Sequence, residues 1–278
     1  MSAVILDGVL LAKQIKDQVK QRVEAVQHKL KRQPCLAVIL VGNDYASKLY
    51  TGIKHKSCVE VGIKSINYEL PENVSQSELL ILIQDLNKRN EIDGILVQLP
   101  LPSHIDKSVI LSAISHKKDV DGLTPFSAGA FLNDVDWFVP STALAVSRLI
   151  DLTNVPLAGK IGVVIGTSVE VGRPVALYMM KKDMTVLSCN RNTFNLTDYV
   201  RTADVLVTST GVAGLVDADM VKKGAVVIDV GISRVGNKVV GDVDFESVKE
   251  KASWITPVPG GVGPVTVACL LENTVLAA

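Results

Sequence analysis

The sequence predicts an α/β protein with two domains, because strand-like and helix-like segments alternate along it. Cys35–Val41 is a continuous apolar run and residues 93–99 form a second predicted buried strand, as expected for a parallel sheet that helices cover on both faces. A polar turn at 118–122 precedes a second series of strands, which recur about every twenty residues in the rhythm of a doubly wound sheet. A chain of 278 residues is long enough for two domains of ordinary size.

Residues 1–120 are predicted to form the first α/β domain. Apolar residues at helical spacing indicate a long amphipathic helix near the N-terminus, and the capping box Ser75–Glu78 starts another helix. Pro100 and Pro102 end the last strand of this domain. The predicted elements are a helix over 8–31, a strand over 35–41, a helix containing 47–56, a strand over 65–70, a helix over 75–90 and a strand over 93–99.

Residues 121–264 are predicted to form a Rossmann-like second domain. A helix from Ser141 to about Thr153 begins it, with Ser141 or Thr142 as the N-cap. A final helix, within 265–278, is expected to pack back on the first domain. The predicted strands are 160–165, 184–188, 204–209, 225–230 and 253–255.

Composition narrows the class of protein. Lys+Arg and Asp+Glu both number 29, so no basic surplus favours nucleic acid or an anionic membrane surface. No apolar stretch reaches the roughly 18 residues of a membrane-spanning helix, and the N-terminus lacks the features of a signal peptide. The four cysteines form no CxxC pair and no paired Cys/His spacing, so neither disulfides nor a metal site is expected. These features favour a cytoplasmic enzyme.

Tyr50 and Lys54 are the first candidate site. One helical turn separates them, so they share a face of the helix. An aromatic ring beside a lysine with a tunable proton suits acid/base chemistry on a flat substrate. An ordinary solvated surface lysine is the alternative that this spacing alone leaves open.

A glycine-containing turn between a strand and a helix is the second candidate site. Gly166 permits a tight turn, Gly172 permits close contact of helix and strand, and the helix N-terminus can face a pyrophosphate. The next strand ends without an acidic residue but with Arg191, which favours NADP over NAD. Glu170 within this loop would repel phosphate unless it points away, and a plain turn between strand and helix remains the alternative.

Seven motifs now stand in one order along the chain, and together they resemble the bifunctional methylenetetrahydrofolate dehydrogenase / methenyltetrahydrofolate cyclohydrolase family. The resemblance spans essentially the whole chain. The motifs are YxxxK at 50–54, QLPLP at 98–102, KDVDG at 118–122, the GxSxxxGRP loop at 166–174, DVGI at 229–232, GDVDF at 241–245 and TPVPGGVGPVT at 256–266.

The resemblance implies four catalytic residues that also bind substrate. Lys54 would be the acid/base residue of hydrolysis, and Tyr50 would stack on the folate and help to hold Lys54. Gln98 would hydrogen-bond Lys54 as a neutral partner, whereas a carboxylate would keep the lysine charged. Asp121 would anchor the pterin ring, since a carboxylate can accept paired N–H groups. A turn or capping aspartate is the alternative for Asp121.

The resemblance also implies how the two ligands are held. Pro259, Gly260 and Gly261 would form a wall of the folate pocket, where glycines allow close backbone approach; a plain tight turn is the alternative. The implied contacts with NADP are Gly166, Thr167, Ser168, Gly172, Arg191 and Ile232.

A homodimer, with a cleft between the two domains of each subunit, is a further implication of the resemblance. The expected reactions are NADP-dependent oxidation of 5,10-methylenetetrahydrofolate to 5,10-methenyltetrahydrofolate and hydrolysis to 10-formyltetrahydrofolate, within one-carbon metabolism and purine biosynthesis. The chain departs from the usual family pattern at Ser127, 141–145, 169–170 and Ala213.

Three other hypotheses remain open at this stage. They are a cyclohydrolase with weak or lost dehydrogenase activity, a catalytically idle Rossmann-type binding subunit, and another two-domain dehydrogenase of the hydroxyacid or shikimate type.

Overall fold

The computed structural model describes residues 2–236 and 238–278, and it has the predicted α/β architecture. Its strands are β1 Val4–Ile5, β2 Cys35–Val41, β3 Lys64–Leu70, β4 Gly94–Val97, β5 Ile161–Ile165, β6 Thr185–Cys189, β7 Val205–Thr208, β8 Val226–Asp229, β9 Ser233–Val235, β10 Lys238–Val240 and β11 Trp254–Ile255. Its α-helices are α1 Gly8–Leu30, α2 Tyr45–Val61, α3 Gln76–Lys88, α4 Lys107–Ala113, α5 Pro125–Leu132, α6 Ser141–Leu152, α7 Gly172–Lys181, α8 Leu196–Val200, α9 Phe245–Val248 and α10 Val262–Leu276.

The chain divides into two compact units that differ from the predicted domains at their edges. One unit comprises Lys13–Ser141 with Val267–Ala278, and the other comprises the N-terminal segment through Ala12 with Thr142–Thr266. The segment through Ala12 clusters with the second unit, and its strand β1 pairs in parallel with β11 in the sheet of that unit. Residues 121–141 cluster with the first unit.

The unit containing Lys13–Ser141 is built on a parallel sheet of three strands in the order β3-β2-β4. Every residue of the central strand β2 and of β4 is buried, which explains their unbroken apolar sequences. The predicted capping box of α3 is present: Ser75 Oγ accepts from the Glu78 N–H, and the Glu78 carboxylate accepts from the Ser75 N–H.

The unit containing Thr142–Thr266 is built on a sheet of six strands in the order β1-β11-β8-β7-β5-β6, with parallel pairing throughout. Strand β5, the first strand after α6, lies between β6 and β7. The chain therefore adds β6 on one side of β5 and then β7 on the other side. Such a point, where the strand order reverses, is where α/β sheets of this type bind ligands beyond the carboxyl ends of their strands. The predicted strands of this sheet are all present.

Several short elements escaped the sequence-based prediction. They are β1, α4, α5, α9 and the antiparallel hairpin of β9 and β10, which pairs Val235 with Lys238. Within the described residues, no helix combines the length and apolar character needed to cross a lipid bilayer.

Candidate active site

Helix α2 places Tyr50 and Lys54 on the same face. Its N-terminus is capped by Asp44, whose carboxylate accepts the N–H of Ser47 at 2.8 Å. Its C-terminus is closed by Gly62 in the left-handed conformation, with φ of 86°. Both ends of the helix are therefore fixed locally, and this fixes the position of the two side chains between them.

Lys54 donates a hydrogen bond from Nζ to Oε1 of Gln98, at 2.9 Å. Gln98 follows β4 directly, and its Nε2 donates to the carbonyl of Leu99 at 2.7 Å. That second bond orients the amide so that its oxygen points at the lysine. The structure thus brings together two predicted site residues that are 44 positions apart in the sequence.

Burial lowers the pKa of the Lys54 ammonium, since removal from water disfavours the charged form. The negative charge of Asp121 acts in the opposite direction and raises it. Burial also raises the pKa of the Tyr50 hydroxyl, which therefore stays protonated at neutral pH. A lysine with a lowered pKa can exist as a free amine nearer neutral pH and so can act as a base.

Asp121 lies in the KDVDG turn, half-buried and close enough for its charge to influence Lys54. The turn is held by Asp119, which is only 1% exposed and accepts the N–H groups of Leu123 and Thr124 at 3.0 and 2.8 Å. On the other side of Asp121, the amide of Asn273 donates to the carbonyl of Val120 at 2.9 Å.

Ser127 completes this support, although it departs from the family pattern. Its hydroxyl donates to Oδ2 of Asp119 at 2.6 Å, and both side chains are buried. The small hydroxyl therefore satisfies the carboxylate that holds the turn. The sequence-based prediction did not include Asp119 as a supporting residue. Its place in the same KDVDG motif as Asp121 could have indicated that role.

A cavity of about 670 Å³ lies in the second unit at the carboxyl ends of β5, β6 and β7. Its lining is rich in hydroxyl and amide groups with one guanidinium, and none of the described residues that line it is acidic. The lining residues are Ile165, Gly166, Thr167, Ser168, Asn190, Arg191, Asn192, Thr193, Leu196, Ser209, Thr210, Val212 and Leu215.

The glycines of the loop between β5 and α7 are needed for close packing. Gly166 has a φ of 107°, and a Cβ there would lie 2.6 Å from the carbonyl oxygen of Ser209. A Cβ on Gly172 would lie 1.8 Å from the carbonyl oxygen of Gly166, so only glycine lets the helix begin against the turn. Ser168 Oγ accepts the N–H of Val171 at 3.1 Å and closes the loop on itself.

Arg191 lies in a tight turn directly after β6. Thr193 closes this turn, because its Oγ1 accepts the N–H of Asn190 at 2.8 Å. Hydroxyls, amides and a single arginine suit a phosphorylated dinucleotide, so the residues present fit NADP. Two predicted cofactor residues, Gly172 and Ile232, are not among those lining the cavity, and neither is Glu170.

Pro259, Gly260 and Gly261 lie in the second unit, whereas Tyr50, Lys54, Gln98 and Asp121 all lie in the first. Gly260 has a φ of 105°. The turn lies directly against the start of α1, where a Cβ on Gly8 would be 1.8 Å from the carbonyl oxygen of Gly261.

No group of three or more His, Cys, Asp or Glu side chains that could hold a metal ion occurs in 2–236 or 238–278. All four cysteines are free thiols and buried.

Comparison with known proteins identifies the family. Residues 6–121 match the model described as "Tetrahydrofolate dehydrogenase/cyclohydrolase, catalytic domain", and residues 140–278 match "Tetrahydrofolate dehydrogenase/cyclohydrolase, NAD(P)-binding domain". The chain belongs to the tetrahydrofolate dehydrogenase/cyclohydrolase family. It is 50% identical to the "Bifunctional protein FolD" of Aquifex aeolicus over 273 residues, which cover 98% of this chain and 94% of that protein.

Solved structures of the same family superpose closely. The bifunctional FolD of Campylobacter jejuni has a TM-score of 0.96 and 47% identity, covering 99% of this chain and 98% of that one. The dehydrogenase–cyclohydrolase of Trypanosoma brucei, solved with NADP and an inhibitor, has a TM-score of 0.96 and 38% identity, covering 100% and 97%.

These comparisons confirm the predicted family, its dehydrogenase and cyclohydrolase activities, and an NAD(P)-binding domain. Membership of the tetrahydrofolate dehydrogenase/cyclohydrolase family excludes the hypothesis of a hydroxyacid or shikimate dehydrogenase.

Proposed function

We propose that Lys54, Tyr50, Gln98 and Asp121 form one folate site that serves both activities. The reactions are oxidation of 5,10-methylenetetrahydrofolate to 5,10-methenyltetrahydrofolate and hydrolysis of that product to 10-formyltetrahydrofolate. The observation that carries this proposal is the Lys54–Gln98 pair, in which a partly buried lysine of lowered pKa is hydrogen-bonded to a neutral amide.

In hydrolysis, Lys54 acts as a free amine. It takes a proton from water as the water oxygen bonds to the methenyl carbon, and it returns a proton to the ring nitrogen whose bond to that carbon breaks. One proton is released overall, because a cationic substrate and water give a neutral formyl product. Gln98 holds Nζ in place through its oxygen without fixing the positive charge.

In oxidation, the methylene carbon loses hydride and becomes part of a cation. NADP supplies the hydride acceptor when bound. A Lys54 side chain that is neutral does not repel the cation that develops, so the same lowered pKa favours both reactions. Tyr50 offers stacking area to the flat ring system, and Asp121 accepts N–H groups of the pterin.

For the cofactor, we propose that Gly166, Thr167 and Ser168 receive the pyrophosphate and that Arg191 pairs with the 2′-phosphate. The cavity that these four residues line supports this assignment. Gly172 acts indirectly, since its missing Cβ allows the turn to form. Ile232 as a cofactor contact, and Pro259, Gly260 and Gly261 as a wall of the folate pocket, rest on the family resemblance.

We further propose a catalytic domain that corresponds to Lys13–Ser141 with Val267–Ala278, and a cofactor domain that corresponds to Thr142–Thr266 with the N-terminal segment. We also propose that the protein is a homodimer and that it acts in the cytoplasm. Its reactions would serve purine biosynthesis. Buried free thiols suit a reducing compartment. Light scattering on purified protein tests the dimer, and a monomeric mass would overturn it.

One assay tests the two activities together. Methenyltetrahydrofolate absorbance is followed in the presence of NADP, of NAD and of neither. Formation from methylenetetrahydrofolate with NADP, and decay of added methenyltetrahydrofolate without cofactor, are expected. Decay without formation would indicate a cyclohydrolase that has lost its dehydrogenase activity, and neither signal would indicate an idle binding subunit.

A further inference from the structure

Two motifs, DVGI and GDVDF, contain aspartates and glycines that the roles assigned above do not explain. They meet in the second unit through two buried carboxylates, those of Asp229 at the end of β8 and Asp242 after β10. Asp229 is 3% exposed and Asp242 is fully buried. Neither side chain is among those that line the cofactor cavity.

Each carboxylate occupies the space beside a glycine of the other motif. A Cβ on Gly241 would lie 2.0 Å from Oδ2 of Asp229, and a Cβ on Gly231 would lie 2.0 Å from Oδ1 of Asp242. Only glycine at 231 and 241 leaves room for the two carboxylates. Each motif therefore supplies the glycine against which the carboxylate of the other motif packs. A close approach of this kind is lost if either glycine gains a side chain.

Asp229 fixes the backbone around Asp242. Its carboxylate accepts the N–H groups of Asp242 and Val243 at 3.1 and 2.8 Å, and the Thr208 hydroxyl at 3.1 Å. Burial raises the pKa of the Asp229 carboxyl to about 6 while its backbone donors lower it, so at neutral pH it is ionised and accepts these bonds. Asp242 is thereby held in one position.

Asp242 in turn holds the loop that follows β7. Its Oδ2 accepts the N–H of Thr210 at 2.6 Å, and its Oδ1 accepts the N–H of Val212 at 3.0 Å. Thr210 and Val212 both line the cofactor cavity. A buried carboxylate that accepts two N–H groups of one loop fixes the backbone of that loop strongly, because bonds to a charged acceptor are stronger than neutral ones.

We propose that Asp242, held by Asp229, is a positioning residue for NADP: it fixes the Thr210–Val212 wall of the cofactor cavity without touching the cofactor. This rests on the proposed assignment of that cavity to NADP. The pair belongs to the dehydrogenase reaction alone, because hydrolysis needs no cofactor and its proposed catalytic residues, Lys54, Tyr50, Gln98 and Asp121, lie in the other unit.

The test is Asp242→Asn, which keeps the size of the side chain but replaces one acceptor oxygen by an amide that faces a loop N–H. The KM for NADP is expected to rise roughly tenfold, the order expected for one lost bond to a charged acceptor, with cyclohydrolase kcat unchanged. Asp244→Asn is the matched control, because Asp244 is exposed and its side chain makes no capping bond to α9. It should leave the KM for NADP within about twofold of wild type.

Two results would overturn the proposal. One is a KM for NADP in Asp242→Asn equal to that of Asp244→Asn. The other is a parallel fall of both activities at unchanged KM, which would mean general loss of folded protein. If Asp242→Asn does not fold, Thr208→Val removes the hydroxyl donor to Asp229 at constant size, and an unchanged KM for NADP in that variant also overturns the proposal.

A second experiment tests separately whether NADP binds in this cavity at all. The dissociation constant for NADP is measured in Arg191→Ala by titration calorimetry. If it rises while Asp242→Asn stays like wild type, the cavity is correct and the positioning role is wrong. If Arg191→Ala binds NADP as wild type does, the assignment of the cavity is wrong and the positioning proposal falls with it.

Discussion

At the scale of single residues, the chemistry proposed for the folate site depends on the proton of Lys54. An exposed lysine is almost fully charged at neutral pH, whereas Lys54 is partly withdrawn from water and hydrogen-bonded to a neutral amide. Its neighbour along α2, Lys56, is exposed. Two lysines on one helix therefore differ in environment, and this difference supplies a matched experiment.

Lys54→Met is expected to lower cyclohydrolase kcat by at least about a hundredfold, because general acid–base catalysis is lost. The decay of methenyltetrahydrofolate absorbance measures it, and circular dichroism checks the fold. Lys56→Met, the control, should hydrolyse like wild type. Near-full hydrolysis by Lys54→Met would remove this lysine from the mechanism.

The pH profile of hydrolysis should reflect the lowered pKa of Lys54. The free amine forms at a lower pH than in an ordinary lysine, so kcat should rise with pH through a midpoint below 10.5. Gln98→Glu places a carboxylate beside Nζ, which favours the cation and should move that midpoint up by about one unit or more. An unshifted midpoint in Gln98→Glu would show that the profile belongs to another group.

Arg191→Ala should weaken NADP by roughly ten- to a hundredfold while leaving NAD nearly unchanged, because only NADP carries the 2′-phosphate. Dissociation constants for both cofactors on the same variant make NAD the internal control. Equal losses for the two cofactors would contradict the assignment of Arg191 to the 2′-phosphate.

At the scale of elements, the start of α7 depends on close contact between two backbones. Gly172 lies where any Cβ would collide with the carbonyl of Gly166, and backbone atoms cannot move aside as a side chain does. The glycine-containing loop is thus shaped by packing inside the protein as well as by its ligand.

Gly172→Ala is expected to lower the free energy of unfolding by about 1–3 kcal/mol and to weaken NADP, since the turn must shift to admit the methyl group. Thermal unfolding and NADP titration measure the two effects. Gly129→Ala in α5 is the control, because nothing lies within 4 Å of a Cβ there. A Gly172→Ala variant as stable as Gly129→Ala would show that the contact relaxes without cost.

At the scale of the whole molecule, two units each have their own sheet and their own core. The first unit buries apolar side chains around β2 and β4, and the second does so around β5, β7 and β8. Lys54 and Arg191 belong to different units. Substitutions of two residues that share no partners usually have independent effects.

The two single variants should therefore separate the activities. Lys54→Met is expected to bind NADP within about twofold of wild type, and Arg191→Ala to keep its cyclohydrolase activity. In the double variant, the dissociation constant for NADP should equal that of Arg191→Ala alone. A further rise of more than about tenfold in the double variant would mean that the two sites are energetically coupled.

Local patterns predicted most of the regular structure. Buried strands appear as apolar runs, and Ser75 begins α3 and Gly62 ends α2 through contacts with near neighbours in the chain. The prediction missed β1 and the β9–β10 hairpin because a two- or three-residue strand has too few side chains to show a period.

The sequence by itself determined the family, the α/β class, and Tyr50, Lys54, Gln98 and Asp121 as candidate residues. Their motifs are local and their order along the chain is specific. The resemblance implied the hydrogen bond between Gln98 and Lys54, and the structure shows it. Only the tertiary structure decided that Asp119 and Ser127 support the Asp121 turn, and that Asp242 holds the loop of Thr210 and Val212 that lines the cavity of the second unit. These depend on hydrogen bonds between groups that folding alone brings within reach, and on burial, which sets the pKa of Lys54 and has no counterpart in residue spacing.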